Sequence, residues 1–354
     1  MKTEIVTALE VSPLRQARRS NRQSQKADPI ARAVEFLQKG ETVALPTETV
    51  YGLAADALNP IAVAKIFEAK ERPHFDPLIV HLPDGAWLNR VAQIRGEDRQ
   101  LVGKLVDRFW PGPFTIVLPR KSIIPEIVTA GLDTVAVRIS AHPIFSDIIR
   151  KFGRPLAAPS ANRFGRVSPT TAQHVLDELD GRIPLIVDAG PTIHGIESTI
   201  IAVHDGEIHI LRRGPITAEQ LRSMGFQPIA HRQDADTTIV RTPGQSPTHY
   251  APRTPLQLIK NAKSFSPDKN QRVGLLAWNP VKSEKGFSVV RSLSKQQDLR
   301  EAATKLFRYL RELDQSDLDL IVAERVPEVG LGAAIMDRLR RAAGRPLDGQ
   351  DTPE

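Results

Sequence analysis

Two cations two residues apart, Lys70 and Arg72, stand in a stretch that Pro73 and Pro77 stiffen. Held in fixed positions, such a pair suits phosphate: arginine offers a planar fork to oxyanions and lysine a compact point charge. A solvated helix end, where cations complement the C-terminal dipole, is the alternative. Arg138 closes the alternating pattern Asp133–Ile139, and Arg212 follows His209-Ile210-Leu211. An arginine at a strand end either grips a carboxylate through two parallel bonds or sits in a structural ion pair. His81 ends Leu78-Ile79-Val80, where a lone histidine is more often a satisfied structural group. Hydroxyls at Thr49, Thr134, Ser160, Ser168 and Ser198 are spaced among these cations. No nucleophile paired with a base stands out, nor any metal-ligand cluster. That favours positioning and charge neutralisation over covalent catalysis.

The buried-strand pattern Thr42-Val43-Ala44-Leu45 stops at Pro46 and continues through Thr47-Glu48-Thr49-Val50-Tyr51 to Gly52. Strand ends carrying hydrogen-bonding groups are where α/β proteins place ligands, although Pro, Thr and Gly are also plain turn residues. Upstream, Asp28 as N-cap, Pro29 at the first position, apolar Ile30, Ala33, Val34 and Leu37, and then Gly40 predict a helix. A second helix over 62–68 delivers the chain to Lys70, and a third covers 98–108. Phe109-Trp110-Pro111-Gly112-Pro113 reads as a scaffold bend into the strand 114–118. Pro155-Leu156-Ala157-Ala158 is another apolar strand, breaking at Pro159-Ser160-Ala161-Asn162. Ser168 and Pro169 predict the N-cap and first turn of a helix that ends near Gly181. A helix start also presents free N–H groups, so cap and phosphate contact are compatible there. Leu185–Gly190 and Ser198–Val203 complete the strand patterns of this half.

Several motifs follow one another between about residue 30 and residue 215. They are Pro46-Thr47-Glu48-Thr49-Val50-Tyr51-Gly52-Leu53, Lys70-Glu71-Arg72-Pro73, Asp76-Pro77-Leu78-Ile79-Val80-His81, Phe109-Trp110-Pro111-Gly112-Pro113-Phe114-Thr115, Val137-Arg138, Pro159-Ser160-Ala161-Asn162 and Glu197-Ser198-Thr199-Ile200. In kind and order they resemble the YrdC/TsaC family of threonylcarbamoyl-AMP synthases. His249-Tyr250-Ala251-Pro252 and the tail beyond it resemble the family's two-domain form. The resemblance implies an N-terminal twisted mixed α/β sheet, with helices around a positively charged cavity, and a smaller Rossmann-like parallel α/β domain. It implies a reaction in which L-threonine, bicarbonate and ATP give threonylcarbamoyl-adenylate and pyrophosphate. The product would pass to a tRNA threonylcarbamoyl transferase complex, for N6-threonylcarbamoyladenosine in tRNAs that read ANN codons.

The same resemblance implies residue roles. Lys70 and Arg72 position phosphates. ATP meets Arg72, Asp76, Thr134, Ser160, Ser168, Arg212 and Tyr250, with a magnesium ion among the phosphates and no metal site on the protein itself. L-Threonine meets Thr49, His81, Arg138, Ala158 and Ser198. Two departures from the family pattern bear on these roles. Gln245 and Ser246 remove an expected cation ahead of Tyr250, and Asp76 stands where asparagine is common. A carboxylate there repels phosphate unless a cation or magnesium lies between them.

With 354 residues and 41% hydrophobic content, the chain has length for two domains with substantial cores. The expected division is 1–229 catalytic, 230–255 a linker that covers the active site, and 256–354 a C-terminal α/β domain. Strand patterns at 256–259, 273–277 and 318–322, with helices at 296–312 and 331–343, support the last. Gly330-Leu331-Gly332 lacks a full dinucleotide fingerprint. The absence of cysteine removes disulfides, thiolate zinc sites and cysteine nucleophiles, and leaves the cytoplasm as the expected compartment. No apolar run approaches the roughly 18 residues of a membrane span. The basic stretch Arg15–Lys26 reads as a solvent-exposed connection rather than a transit peptide. A net charge of +7 fits an anionic partner, with salt-sensitive RNA binding the secondary expectation. Two rival functions follow: an RNA-binding protein of the same fold, and a carbamoyl-transfer maturation factor, whose cysteine-rich zinc segments have no counterpart here.

Overall fold

The computed structural model describes residues 2–8, 28–230, 250–268, 270–279 and 286–344. The stretch Arg15–Lys26, most of the expected linker, His249, and the departures at Gln245 and Ser246 lie outside the described residues.

The larger sheet comprises β1 (Glu4–Thr7), β2 (Val43–Leu45), β3 (Gly52–Asp56), β4 (Ile79–His81), β5 (Phe114–Pro119), β6 (Thr134–Arg138), β7 (Leu156–Ala157), β8 (Leu185–Asp188), β9 (Thr199–His204), β10 (Glu207–Arg212) and β11 (Pro228–Ala230). Their order is β1-β8-β2-β3-β7-β4-β6-β5-β9-β10-β11, with parallel and antiparallel pairings mixed. β1 lies at one edge, pairing Glu4 with Leu185 in parallel. The side-chain period of two sets the layers. Val43 and Leu45 face one core with α1 (Pro29–Gln38), while Ala44 faces another with α2 (Pro60–Lys70) and α3 (Arg99–Phe109). α4 (Pro143–Phe152) joins α1 on the first face. Asp28 caps α1 by accepting from Ile30 N, and Asn59 caps α2 by accepting from Ile61 and Ala62 N. α2 thus runs through Lys70, two residues beyond the predicted end.

Ser168 does not start a helix. α5 spans Ala172–Leu179 and its N-cap is Thr171, whose hydroxyl accepts from His174 N at 3.2 Å. Pro169 O is taken instead by Tyr51 N at 2.9 Å, and the Ser168 hydroxyl turns inward to donate to Glu197. That tertiary pairing outcompetes the local cap signal.

The smaller sheet is parallel throughout, in the order β12 (Leu256–Ile259), β15 (Leu320–Glu324), β13 (Val273–Ala277), β14 (Val289–Ser292). β14 is a half-buried edge strand that the sequence reading passed over. α6 (Leu299–Asp314) and α7 (Leu331–Ala342) cover the face bearing Leu276, Ile321 and Ala323. Their core extends to Val50, Val167, Ile196 and Tyr250, so apolar packing is continuous from the small sheet to the wall after β2. At this seam Gly195, with φ +69, lies so close to α6 that a Cβ would fall 2.5 Å from Thr304 Cα. Among the described residues, no helix is long and apolar enough to cross a membrane.

Candidate functional site

β4 and β6 run parallel with His81 opposite Arg138, so both residues close their strands at one end of the large sheet. The segment after β2 reaches the same end. There Thr47 Oγ donates to Val50 O at 2.6 Å and accepts from Thr49 N and Val50 N, a turn its hydroxyl folds locally. Leu53 N bonds Pro159 O and Ala161 N bonds Tyr51 O, which zips this wall to the turn after β7. Ser198 precedes β9 and Arg212 ends β10. Together these strand ends line one pocket.

Arg138 is fully engaged at the pocket floor. Its Nε donates to Gly112 O at 3.1 Å, Nη1 to Thr49 Oγ at 3.1 Å and Nη2 to Glu48 Oε1 at 2.5 Å. Ser140 Oγ donates to the other Glu48 oxygen at 2.5 Å. Burial alone would raise the Glu48 pKa, but the Arg138 charge and these hydrogen bonds outweigh it and hold the carboxyl below its usual range. His81 packs against Phe145 at 4.7 Å between ring centroids. Burial, aided by the Arg138 charge, pushes it down to about 3, so the ring is neutral near pH 7. Its Nδ1 has no hydrogen-bond partner among the described residues.

Arg72 is held from beneath. Nε donates to Asp76 O at 3.1 Å and Nη2 to Pro77 O at 2.9 Å. Asp76 Oδ2 lies 2.9 Å from Nη2 as an ion pair, off the line of an aligned hydrogen bond. Burial raises the Asp76 pKa, and Arg72, Lys70 and Arg212 oppose that rise. The carboxylate therefore faces a cation, as the departure at this position requires. Lys70 turns the other way: its ammonium donates to Ser160 O at 2.5 Å and to Asn162 O. Burial, then the nearby Arg72 charge, drives its pKa well down.

Opposite, Arg212 Nε and Nη2 donate to Ser198 O and Oγ, each at 3.1 Å, and Thr115 Oγ lies 2.8 Å from the same hydroxyl. Glu197 accepts from Ser168 Oγ and, at 3.1 Å, from Arg338 Nε. Tyr250 is buried against Phe307 with ring centroids 5.4 Å apart, and burial pushes its hydroxyl up to about 12.

Of the residues expected at a site, Thr49, Arg72, His81, Arg138, Ala158, Ser160, Ser198, Arg212 and Tyr250 line the pocket. Lys70, Asp76, Thr134 and Ser168 do not. Lys70 and Ser168 brace the pocket from behind through Ser160 and Glu197, and Asp76 sits under Arg72. Thr134 begins β6 opposite Pro119, whereas Arg138 ends it; four residue steps along the strand separate them by about 13 Å. Strand periodicity cannot reveal which end meets the ligand. Thr47, Val50, Gly52 and Glu197 line it too, from stretches the sequence already marks as strand ends and motifs, whereas Pro159 and Ile79 were not singled out. Glu48, behind Arg138, was missed as well. Its signal was available: a carboxylate inside a stretch that otherwise reads as buried demands a buried cation.

A family model described as telomere recombination, covering Sua5, YciO and YrdC, matches residues 35–214. The chain belongs to the Sua5/YciO/YrdC family. A second model, the C-terminal domain of threonylcarbamoyl-AMP synthase, matches residues 216–344. The Sua5/YciO/YrdC chain is 42% identical to the threonylcarbamoyl-AMP synthase of Bacillus subtilis over 90% of its length and 94% of the relative's. It is 39% identical to the synthase of Pyrococcus abyssi, over 88% and 93% of the two chains. A crystal structure of P. abyssi Sua5 complexed with L-threonine superposes with a TM-score of 0.83 at 35% identity, covering 96% of this chain and 98% of that one.

Proposed function

We propose that the protein converts L-threonine, bicarbonate and ATP into threonylcarbamoyl-AMP and pyrophosphate, supplying the activated group for N6-threonylcarbamoyladenosine in tRNA. The observation that carries this reading is the convergence of Arg72, Arg138 and Arg212, each 7% exposed or less, on one pocket. Buried guanidiniums fixed by neighbours suit a carboxylate and a polyphosphate held in register. Relatives named threonylcarbamoyl-AMP synthase, and one complexed with L-threonine, support it.

In this reading Arg138, with Thr49, His81, Ala158 and Ser198, receives L-threonine with its α-carboxylate toward the guanidinium. Arg72, Arg212, Ser160 and Tyr250 receive ATP. The threonine amine adds to the carboxyl carbon of bicarbonate and water leaves, giving a carbamate. Neutral His81 adds no charge to disfavour that amine. A carbamate oxygen then attacks the α-phosphorus, the bond to the bridging oxygen breaks, and pyrophosphate departs under the charge of the arginines. Among the described residues no three His, Cys, Asp or Glu side chains group to hold a metal. In this reading magnesium would come with ATP, held by its phosphates, and would supply charge neutralisation there.

The reading assigns the reaction to residues 1–229, a covering linker to 230–255 and a separate α/β domain to 256–354; Tyr250 in the pocket wall supports the linker's part. It includes a cytoplasmic location, hand-over of the product to a tRNA threonylcarbamoyl transferase complex, and RNA contact only as a salt-sensitive secondary property. Pyrophosphate release from MgATP with bicarbonate, measured with L-threonine, L-serine or no amino acid, tests it. Release that requires threonine is expected. None from folded protein would overturn the reading and favour RNA binding.

A further inference from the structure

Arg338 lies on the core-facing stripe of α7, in phase with Leu331, Ala334, Ile335, Leu339 and Ala342. A cation at such a position is expensive unless it is paired, yet Arg338 is 0% exposed. Its partners are not only those of its own domain. Nη1 donates to Asp337 at 2.8 Å, but Nε reaches across the seam to Glu197 Oε2 at 3.1 Å, and the guanidinium carbon lies 5.4 Å from the Tyr250 ring centroid. Glu197 and Tyr250 both line the pocket. Glu197 also accepts from Ser168, and the next residue, Ser198, holds Arg212 through two hydrogen bonds. One side chain of the smaller domain thus touches two pocket-lining residues, one of them next in sequence to the serine that holds Arg212.

We infer that Arg338 is a positioning residue for the nucleotide half of the pocket, so that the smaller domain acts as a fixed buttress of the site. This rests on the proposed assignment of Arg212 and Tyr250 to ATP. Arg338 fixes the Glu197 carboxylate and the Tyr250 ring, the two pocket residues it touches directly. The threonine half lies on β4 and β6 around Arg138 and has its own brace in Glu48. Arg338 touches none of the residues assigned to L-threonine, so its loss is read on the nucleotide.

Arg311 supplies the matched comparison. It too enters the large domain from the small one, pairing with Glu178 at 3.1 Å and donating to Val167 O. Neither of those partners lines the pocket. A role limited to holding the domains together would make the two arginines equivalent.

The experiment compares the full chain with Arg338→Met, Arg338→Lys and Arg311→Met. Melting temperature, KM for ATP in pyrophosphate release, and calorimetric affinities for MgATP and L-threonine are read below each variant's melting point. Arg338→Met is expected to raise KM for ATP about tenfold, corresponding to about 1.4 kcal/mol, with L-threonine affinity within twofold. Arg338→Lys keeps the charge without the fork and should fall between, near threefold. Arg311→Met should lower the melting temperature and leave KM for ATP unchanged. An Arg338 variant that melts lower with unchanged KM for ATP, or an Arg311→Met effect on KM as large as that of Arg338→Met, would overturn the inference. If Arg338→Met does not fold, Arg338→Lys decides by the same comparison. MgATP calorimetry separates the two readings: absence of threonine-dependent turnover in the unmodified chain sinks the proposed reaction, whereas the Arg338 effect on MgATP affinity can still be read.

Discussion

Glu48 Oε1 stands 2.5 Å from Arg138 Nη2, with both side chains 4% exposed. The carboxylate fixes the arginine from behind while Thr49 Oγ and Gly112 O hold its other nitrogens, so the guanidinium is aimed before any ligand arrives. Glu48→Gln is expected to weaken L-threonine binding at least tenfold, about 1.4 kcal/mol or more, and to leave MgATP affinity within about twofold of that of the unmodified protein. Because a buried charge loses its partner, folding stability should also fall, by about 3–5 kcal/mol. Calorimetry with each substrate checks the first part and urea unfolding the second. Equal losses for both substrates would contradict the assignment of Arg138 to threonine.

Arg72→Ala removes the cation whose geometry Asp76 and Pro77 set. On the proposed assignment of Arg72 to the reacting phosphates, losing that charge-assisted contact should lower kcat/KM for pyrophosphate release by about 10²–10³, with threonine affinity retained. Asp76→Asn keeps the backbone carbonyl that binds Arg72 Nε and should be much milder. A severe Asp76→Asn defect beside a mild Arg72→Ala one would reverse these roles.

Lys70 gives the contrasting case. Its ammonium satisfies the carbonyls of Ser160 and Asn162 rather than lining the pocket. Lys70→Met strands buried acceptors worth about 1–3 kcal/mol each, so a clear drop in melting temperature is expected, with KM for ATP within about threefold at temperatures where the variant is folded. A large KM effect without loss of stability would return Lys70 to phosphate binding.

How much of this was legible in advance differs residue by residue. Arg138 and Arg212 could be placed at strand ends because apolar alternation marks where a strand stops. The capping of α1 by Asp28 followed from local chemistry. Ser168 carried an equally good capping signal and was misread, because the bonds from Tyr51 N and to Glu197 come from segments far away in sequence. Lys70 and Arg72 are indistinguishable by spacing, yet one caps a turn from below and the other opens on the cavity. Arg338 is the instructive miss. A cation on the apolar stripe of a helix announces a partner but not its address, and that address lies in another domain.

Acid should destabilise the protein in a defined window. His81 and His174 have folded pKa values pushed down by burial to about 3 and about 4, from an ordinary 6.5. Between those limits the unfolded chain binds protons that the folded one refuses, so stability falls as pH drops below about 6.5, by at most about 1.4 kcal/mol per unit for each histidine. Glu48, whose folded pKa is lowered from 4.5, adds its loss below that value. Urea midpoints at pH 7, 6 and 5 should decline, and His174→Gln, remote from the pocket, should flatten the decline. An unchanged midpoint across that range would refute the assignment.

Gly195→Ala should loosen the seam between the domains, since its Cβ would meet the Thr304 backbone at 2.5 Å with φ at +69. A destabilisation of about 1–3 kcal/mol is expected from overpacking and strain, read as earlier proteolysis of the smaller domain. Native-like resistance would show that the seam yields.

The edge position of β1 has a consequence for synthesis. Among the described residues Glu4–Thr7 pairs with Leu185–Asp188 alone, so a strand that leaves the ribosome early waits for a partner some 180 residues behind it, about 10–35 s at ordinary elongation rates. During that wait β2 lacks β8 as well, and Val43, Ala44 and Leu45 offer an open, wholly apolar ladder. Such an edge is a template for pairing with other chains. The nascent protein is most exposed to aggregation, and most in need of a chaperone, in the interval before residue 188 is made.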